Sequence, residues 1–240
     1  MALAYQTALT IESVIKDIDS KKYLLPSIQR EFVWSTGQIE KLFDSLMRDY
    51  PINAFLFWKV PREKVSEFKF YEFLRDYHQK DNKHNPKANT NGTEDIIAIL
   101  DGQQRMTSLY IALKGTYAYK MSYKRWDNPA AYPKRKLYLN LLAASDDADM
   151  FYDFLFLTEE EAKNIKNDND EYEGSFWFPV GKILDFREES DVNDYLIDND
   201  LNTVADKAQA KFANKALFKL YSIIHNKQTI SYYLEESTEL

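Results

Sequence analysis

The segment 96–115 constrains this chain more than any other stretch. Its first residues, Ile96-Ile97-Ala98-Ile99-Leu100, form a short apolar run of the length and β-branched content of a buried strand. The run ends on Asp101 and Gly102, and helical spacing begins at once, with Met106, Leu109, Tyr110 and Leu113 inward over 103–114. Gly102 permits the tight turn and close backbone approach that such a passage needs. Gly115 stands where a C′ glycine ends a helix.

Around this unit the elements alternate. Ile11, Val14, Ile15 and Ile18 mark a short helix over 10–20, and 24–34 is extended with a break at Pro26. Ser35 and Gln38 make a capping box for a helix whose apolar stripe is Ile39, Leu42, Phe43, Leu46, Met47 and Tyr50, stopped by Pro51. Residues 54–60 predict a buried strand and 68–74 an alternating one. The polar run 75–93 predicts a mobile hairpin loop or insertion. Strands follow at 137–141 and 151–157, and Thr158 with Glu161 makes a second capping box. From Ile183 the pattern turns helical, with Val204, Ala208, Phe212, Ala216, Leu220 and Ile223 keeping the period of a long helix over 202–226. Strands early and helices late predict an α+β core at 1–145 and a mainly helical extension at 146–240.

Composition narrows the chemistry. The 17 Tyr and 15 Phe predict an aromatic core. With no cysteine there is no disulfide, no thiolate metal site and no cysteine nucleophile. No run has the roughly 18 apolar residues of a membrane helix, and the first residues lack the pattern of a secretory signal, so a cytoplasmic protein is expected. A net charge of −7 opposes wrapping nucleic acid, whose affinity rests on cations at phosphates. Two local basic patches, Lys120 to Trp126 and Lys134-Arg135-Lys136, read as solvated surface or as phosphate contacts.

The turn at Asp101 and Gly102 is where chemistry concentrates. Helix-start amides and the positive dipole end would face the same space as the Asp101 carboxylate, and such a start suits a phosphate. Arg105 offers a fork of donors to phosphate oxygens, Asp101 a ligand for Mg²⁺ or a hold on a water, and Gln103 and Gln104 amides for a base, a ribose or the attacking water. The same residues also read as an ordinary turn with exposed helix side chains. A second polar pair, Gln29-Arg30, interrupts the apolar segment 24–34. It either converges with Arg105 on one anion or simply pairs with an acidic neighbour. Candidates elsewhere fail: His84-Asn85 lacks a partner histidine, and Gly181-Lys182 lacks the upstream glycine of a P-loop.

Three stretches, L-P-S-I-Q-R-E-F-V-W, Q-I-E-K-L-F-D-S-L-M-R-D-Y-P-I-N-A-F-L-F-W and I-L-D-G-Q-Q-R-M-T-S-L-Y, resemble the N-terminal domain of GmrSD-type modification-dependent restriction proteins. The resemblance is specific over 5–115 and diffuse to Leu240. It implies a ParB/sulfiredoxin-like mixed sheet with helices, and nucleoside triphosphate binding and hydrolysis at D-G-Q-Q-R. It also implies control of an HNH-type nuclease domain expected beyond Leu240, so that modified DNA is an indirect partner. The Asn-Ser-Gly-Gly motif that follows the family's strand at 230–234 is absent here, so the chain reads as a fragment. On this reading Asp101, Gln104 and Arg105 are catalytic, Gln29, Arg30, Gly102 and Gln103 bind nucleotide, and Asp101 holds Mg²⁺. The rivals are a nucleotide-gated switch or interaction module without turnover, and a nuclease in its own right.

Overall fold

The computed structural model describes residues 4–27, 31–90, 96–164, 175–204 and 206–236. Two mixed sheets and the helices between and around them give an α+β architecture. The first sheet has the order β1-β11-β3-β6-β2-β4, built from Ala4–Thr10, Gln228–Glu235, Phe55–Val60, Ile96–Asp101, Tyr23–Pro26 and Phe70–Tyr71. The second has the order β10-β8-β7-β5, from Trp177–Pro179, Lys134–Ala144, Thr116–Ala118 and Asp76–His78, with β9 (Tyr152–Leu157) also paired to β8. The helices are α1 (Ile11–Asp19), α2 (Thr36–Met47), α3 (Gln103–Lys114), α4 (Glu159–Asn164), α5 (Glu189–Asp198) and α6 (Lys207–Tyr221).

Helix α3 organises the whole. It leaves the first sheet at the end of β6 and delivers the chain to β7 in the second. Every residue from Met106 to Leu113 is buried, so α3 has no solvent face over two turns. The core around it is aromatic as expected: Phe43, Phe55, Phe57, Phe154 and Phe178 are fully buried. Both glycines that bound α3 are there for space. A side chain at Gly115 would sit 1.7 Å from the Arg75 carbonyl oxygen. Its backbone is extended, not the left-handed turn expected of a C′ glycine.

Other expectations meet the structure unevenly. The capping box of Ser35 and Gln38 forms, as does that of Thr158 and Glu161. Helix α2 ends at Met47, and Asp49 takes a left-handed φ of 62°, so Tyr50 leaves the stripe and is exposed. Within 68–74 only Phe70 and Tyr71 pair, because the neighbouring polar run folds back: Ala88 donates to the Phe70 carbonyl and Leu74 to the buried Asn85 side chain. That run also holds β5, so its described part is structured sheet edge and not a plain loop. The chain beyond residue 145 contributes β9, β10 and β11 as well as helices. β11 lies between β1 and β3, parallel to β3, so the last strand completes the first sheet from inside. A boundary at residue 145 therefore separates no independent layer.

The polar side of α2 closes the edge of β9. Asp44, 2% exposed, accepts from the amides of Phe151 (2.9 Å) and Tyr152 (2.8 Å), and Glu40 accepts from Phe156 (3.1 Å). These contacts satisfy strand amides that would otherwise stand open at the edge. Burial pushes the Glu40 carboxyl up to about 7, and the Asp153 charge adds to the rise while the Phe156 amide opposes it. Its folded value lies above the usual 4.5, so the folded chain keeps a proton that the unfolded chain loses, and stability drains as pH rises between those values. Glu40→Gln keeps the acceptor without the charge. It is expected to match the wild type near pH 4 and to exceed it above pH 7 by about 1–3 kcal/mol. Urea melts of both proteins across that range check this, and parallel curves would contradict it.

Candidate functional site

Strand β6 ends at Asp101, whose side chain is 75% exposed. Gly102 then takes φ 86° and ψ 10°, a left-handed conformation that lets α3 start on the next residue. A Cβ at this position would lie 2.2 Å from Cδ1 of Phe55, so the turn is pressed onto that ring as well as twisted. Gly102, Asp101, Gln103, Gln104 and Arg105 line a cleft of 410 Å³ with Leu100 and Trp34. The start of a 12-residue helix opens onto this cleft beside the exposed carboxylate, as the sequence predicts.

The side chains of the motif are used differently from the simplest expectation. Gln103 turns back, and its Nε2 donates to the carbonyl of Ile99 (2.9 Å). Gln104 clasps the segment after β2 in both directions: Nε2 donates to the Glu31 carbonyl (2.9 Å) and Oε1 accepts from the Val33 amide (3.0 Å). Arg105 spreads its fork over the turn before β3. Nη1 donates to the carbonyls of Ile52 and Asn53, and Nη2 to that of Ala54 (3.3 Å). Its guanidinium lies 4.5 Å from the Phe55 ring centre, with Asp101 3.7 Å from Nη2. Burial lowers the Arg105 pKa, and the Asp101 charge works the other way. The three polar side chains thus act first as struts that hold β6, β3 and the 31–33 segment around the helix start. Asp101 is the one charged side chain of the motif left mostly open to solvent. Gln29 and Arg30 lie outside the described residues.

Phe55, Trp34 and the carbonyls of Ile52, Asn53 and Ala54 belong to this site and were not singled out from sequence. Their signal was weak: Phe55 and Trp34 look like any core aromatics, and carbonyl acceptors carry no residue identity. A second cleft, of 690 Å³, holds Glu12, Lys16, Asp185, Arg187, Tyr221 and His225. There His225 Nδ1 lies 3.2 Å from Glu12 and Nε2 2.9 Å from the Ile183 carbonyl. Burial raises the Glu12 pKa, but hydrogen bonds from Lys16 and His225 outweigh it and hold the group below its usual range. Cations and carboxylates balance in that cleft, so it has no bias toward an anion. Among the described residues no cluster of three His, Cys, Asp or Glu could hold a metal by itself, and no helix is long and apolar enough to cross a membrane.

A strand ending in an open carboxylate, a left-handed glycine and a buried helix starting over a cleft make up a strand–turn–helix site. The family model of the GmrSD restriction endonuclease N-terminal domain matches residues 11–240. The chain belongs to that family. An uncharacterized protein of Methanocaldococcus jannaschii is similar as well, 33% identical over 113 residues. That match spans 47% of this chain and 18% of the archaeal protein.

The glycines allow a direct check of the geometry. Gly102→Ala combines a disfavoured φ with the Phe55 contact and is expected to cost at least about 1–3 kcal/mol. Gly37, in the first turn of α2, has room for a Cβ, whose nearest neighbour would be the Glu40 carboxylate at 3.8 Å. Gly37→Ala is therefore expected to stabilise by about 0.4–1 kcal/mol. Chemical denaturation of both variants tests the pair, and a neutral Gly102→Ala would refute the strained turn.

Proposed function

We propose that this domain binds a nucleoside triphosphate with Mg²⁺ at the start of α3 and hydrolyses it within the intact restriction protein. The observation that carries the reading is the cleft in which Asp101 and the α3 start converge. Backbone amides from Gly102 onward and the positive end of α3 would bind phosphate oxygens. Arg105, held by three carbonyls and the Phe55 ring, adds a fixed positive charge at the rim. Gln103 and Gln104 set the walls. The donor set suits Mg²⁺, which is commonly held through one or two carboxylates together with substrate phosphates, and Asp101 is the residue that would hold it. Bound there, Mg²⁺ would neutralise phosphate charge as the terminal phosphoryl leaves. The chain's own part is positioning and charge, with no covalent intermediate. Gln29 and Arg30 are proposed as further nucleotide contacts.

In the whole protein this domain would govern an HNH-type nuclease that cuts modified DNA in the cytoplasm, with the cutting done elsewhere in the protein. One observation favours a second reading, a nucleotide-gated switch with negligible turnover. Gln104 joins the α3 start directly to residues 31 and 33, next to Gln29 and Arg30, so occupancy at the helix start would be felt by that segment.

Thermal melts test the binding. At about 100 times its dissociation constant a triphosphate supplies about 2.7 kcal/mol, roughly 5–11 °C for a chain of this size. Asp101→Asn, at an exposed position, is expected to leave the ligand-free melt unchanged and to shrink the Mg²⁺-dependent shift. Arg105→Lys keeps the charge, loses the fork and is expected to lower the ligand-free melt itself. No shift with any triphosphate, or an undiminished shift in Asp101→Asn, would refute the site, and phosphate release measured beside binding separates hydrolysis from the switch.

A further inference from the structure

The charge of this chain is divided very unevenly. Residues 79–136 hold eleven Lys and Arg against five Asp and Glu, a net of +6 inside a chain of −7. Within that stretch the loop joining β7 to β8 gathers aromatic and basic side chains at the surface. Tyr123 is 105% exposed and has a left-handed φ of 61°, a costly conformation for a bulky residue. Lys124 and Arg125 follow, both exposed, and neither is paired with a carboxylate among the described residues. Trp126 comes next and is 51% exposed.

The loop is braced from within. Lys120 Nζ donates to the carbonyls of Met121 (3.1 Å) and Lys124 (3.0 Å), and the Lys120 amide donates to the Gln79 side chain (2.7 Å). Met121 N donates to the Ala131 carbonyl at 2.7 Å. Buried Tyr132 donates to the Trp126 carbonyl (3.0 Å), meets the Trp126 ring edge-on at 5.9 Å and lies tilted against the His78 ring at 4.8 Å. Lys120 thus spends its charge on the loop's own backbone, while Lys124 and Arg125 remain free to face a partner. At the stem, Lys134 pairs with Ala118 across β7 and β8. Lys134 and Lys136 are exposed on the same face of β8, where they line a cleft of 550 Å³ with Lys163, Tyr138, Trp177 and one carboxylate, Glu159.

We propose that this loop and the adjoining face of β8 form a contact surface for a nucleic-acid strand with unstacked bases. Exposed rings on either side of two unpaired cations, Lys124 and Arg125, suit the mix of bases and phosphates along such a strand. Lys124, Arg125, Lys134 and Lys136 take the phosphates, and Tyr123 and Trp126 take the bases. Bracing lowers the ordering cost of binding. The surface shares no residue with the α3 start, so it stands or falls apart from the triphosphate reading.

The test is fluorescence anisotropy of a labelled oligothymidylate of about 20 nucleotides, against a duplex of equal length and with anionic vesicles as a third arm. The single strand is expected to bind best, and affinity to fall as salt rises from about 50 to about 200 mM. Tyr123→Ala and Trp126→Ala are each expected to weaken binding about 5- to 150-fold. Lys124→Glu with Arg125→Glu should make the slope of log K against log salt shallower by about 1.4. Tyr123→Ala should keep the melting temperature of the unsubstituted chain. Folded protein that binds no strand at low salt would overturn the proposal. So would aromatic variants that bind like the wild type, a preference for duplex, or a preference for vesicles.

Discussion

Everything in this domain depends on a helix that has no outside. Because α3 is buried over two full turns, it cannot shift without disturbing both sheets. Its ends are stopped by close approach: Gly102 against the Phe55 ring at one end, Gly115 against the Arg75 carbonyl at the other. A side chain at either position would push the helix off one sheet. The register of the two sheets relative to each other follows from that wedge.

The site is a by-product of the same constraint. A helix start is ordinarily satisfied by a capping side chain or by water, but Gly102 brings no cap. The amides stay available because the turn has room only for glycine. The side chains that follow are then committed to holding neighbouring strands in place. Gln104 and Arg105 reach carbonyls and an amide on segments far away in sequence, 31–33 and 52–54. Binding at this helix start would thus load the struts of the fold, which is how a ligand here would change the rest of a larger protein.

Carboxylates on α2 serve as acceptors for an edge strand, and burial there raises the Glu40 pKa. Basic residues gather instead on part of the second sheet and its loop. A net negative chain can therefore still present a positive face.

The sequence by itself determined the local pieces. Strand, Asp-Gly turn and helix at 96–115 were legible because the apolar period switches from a continuous run to 3.6-residue spacing at a glycine. The capping boxes were legible because side chain and backbone lie three residues apart. The family resemblance was carried by those same contiguous stretches. What only tertiary structure decided were the pairings that span the chain. No local signal says that β11, at the far end, enters between β1 and β3, or that the run after Leu74 folds back on Phe70. Nor does the motif reveal that Gln103, Gln104 and Arg105 point to carbonyls. Backbone acceptors are the same at every residue, so their use as partners depends on where the fold brings them.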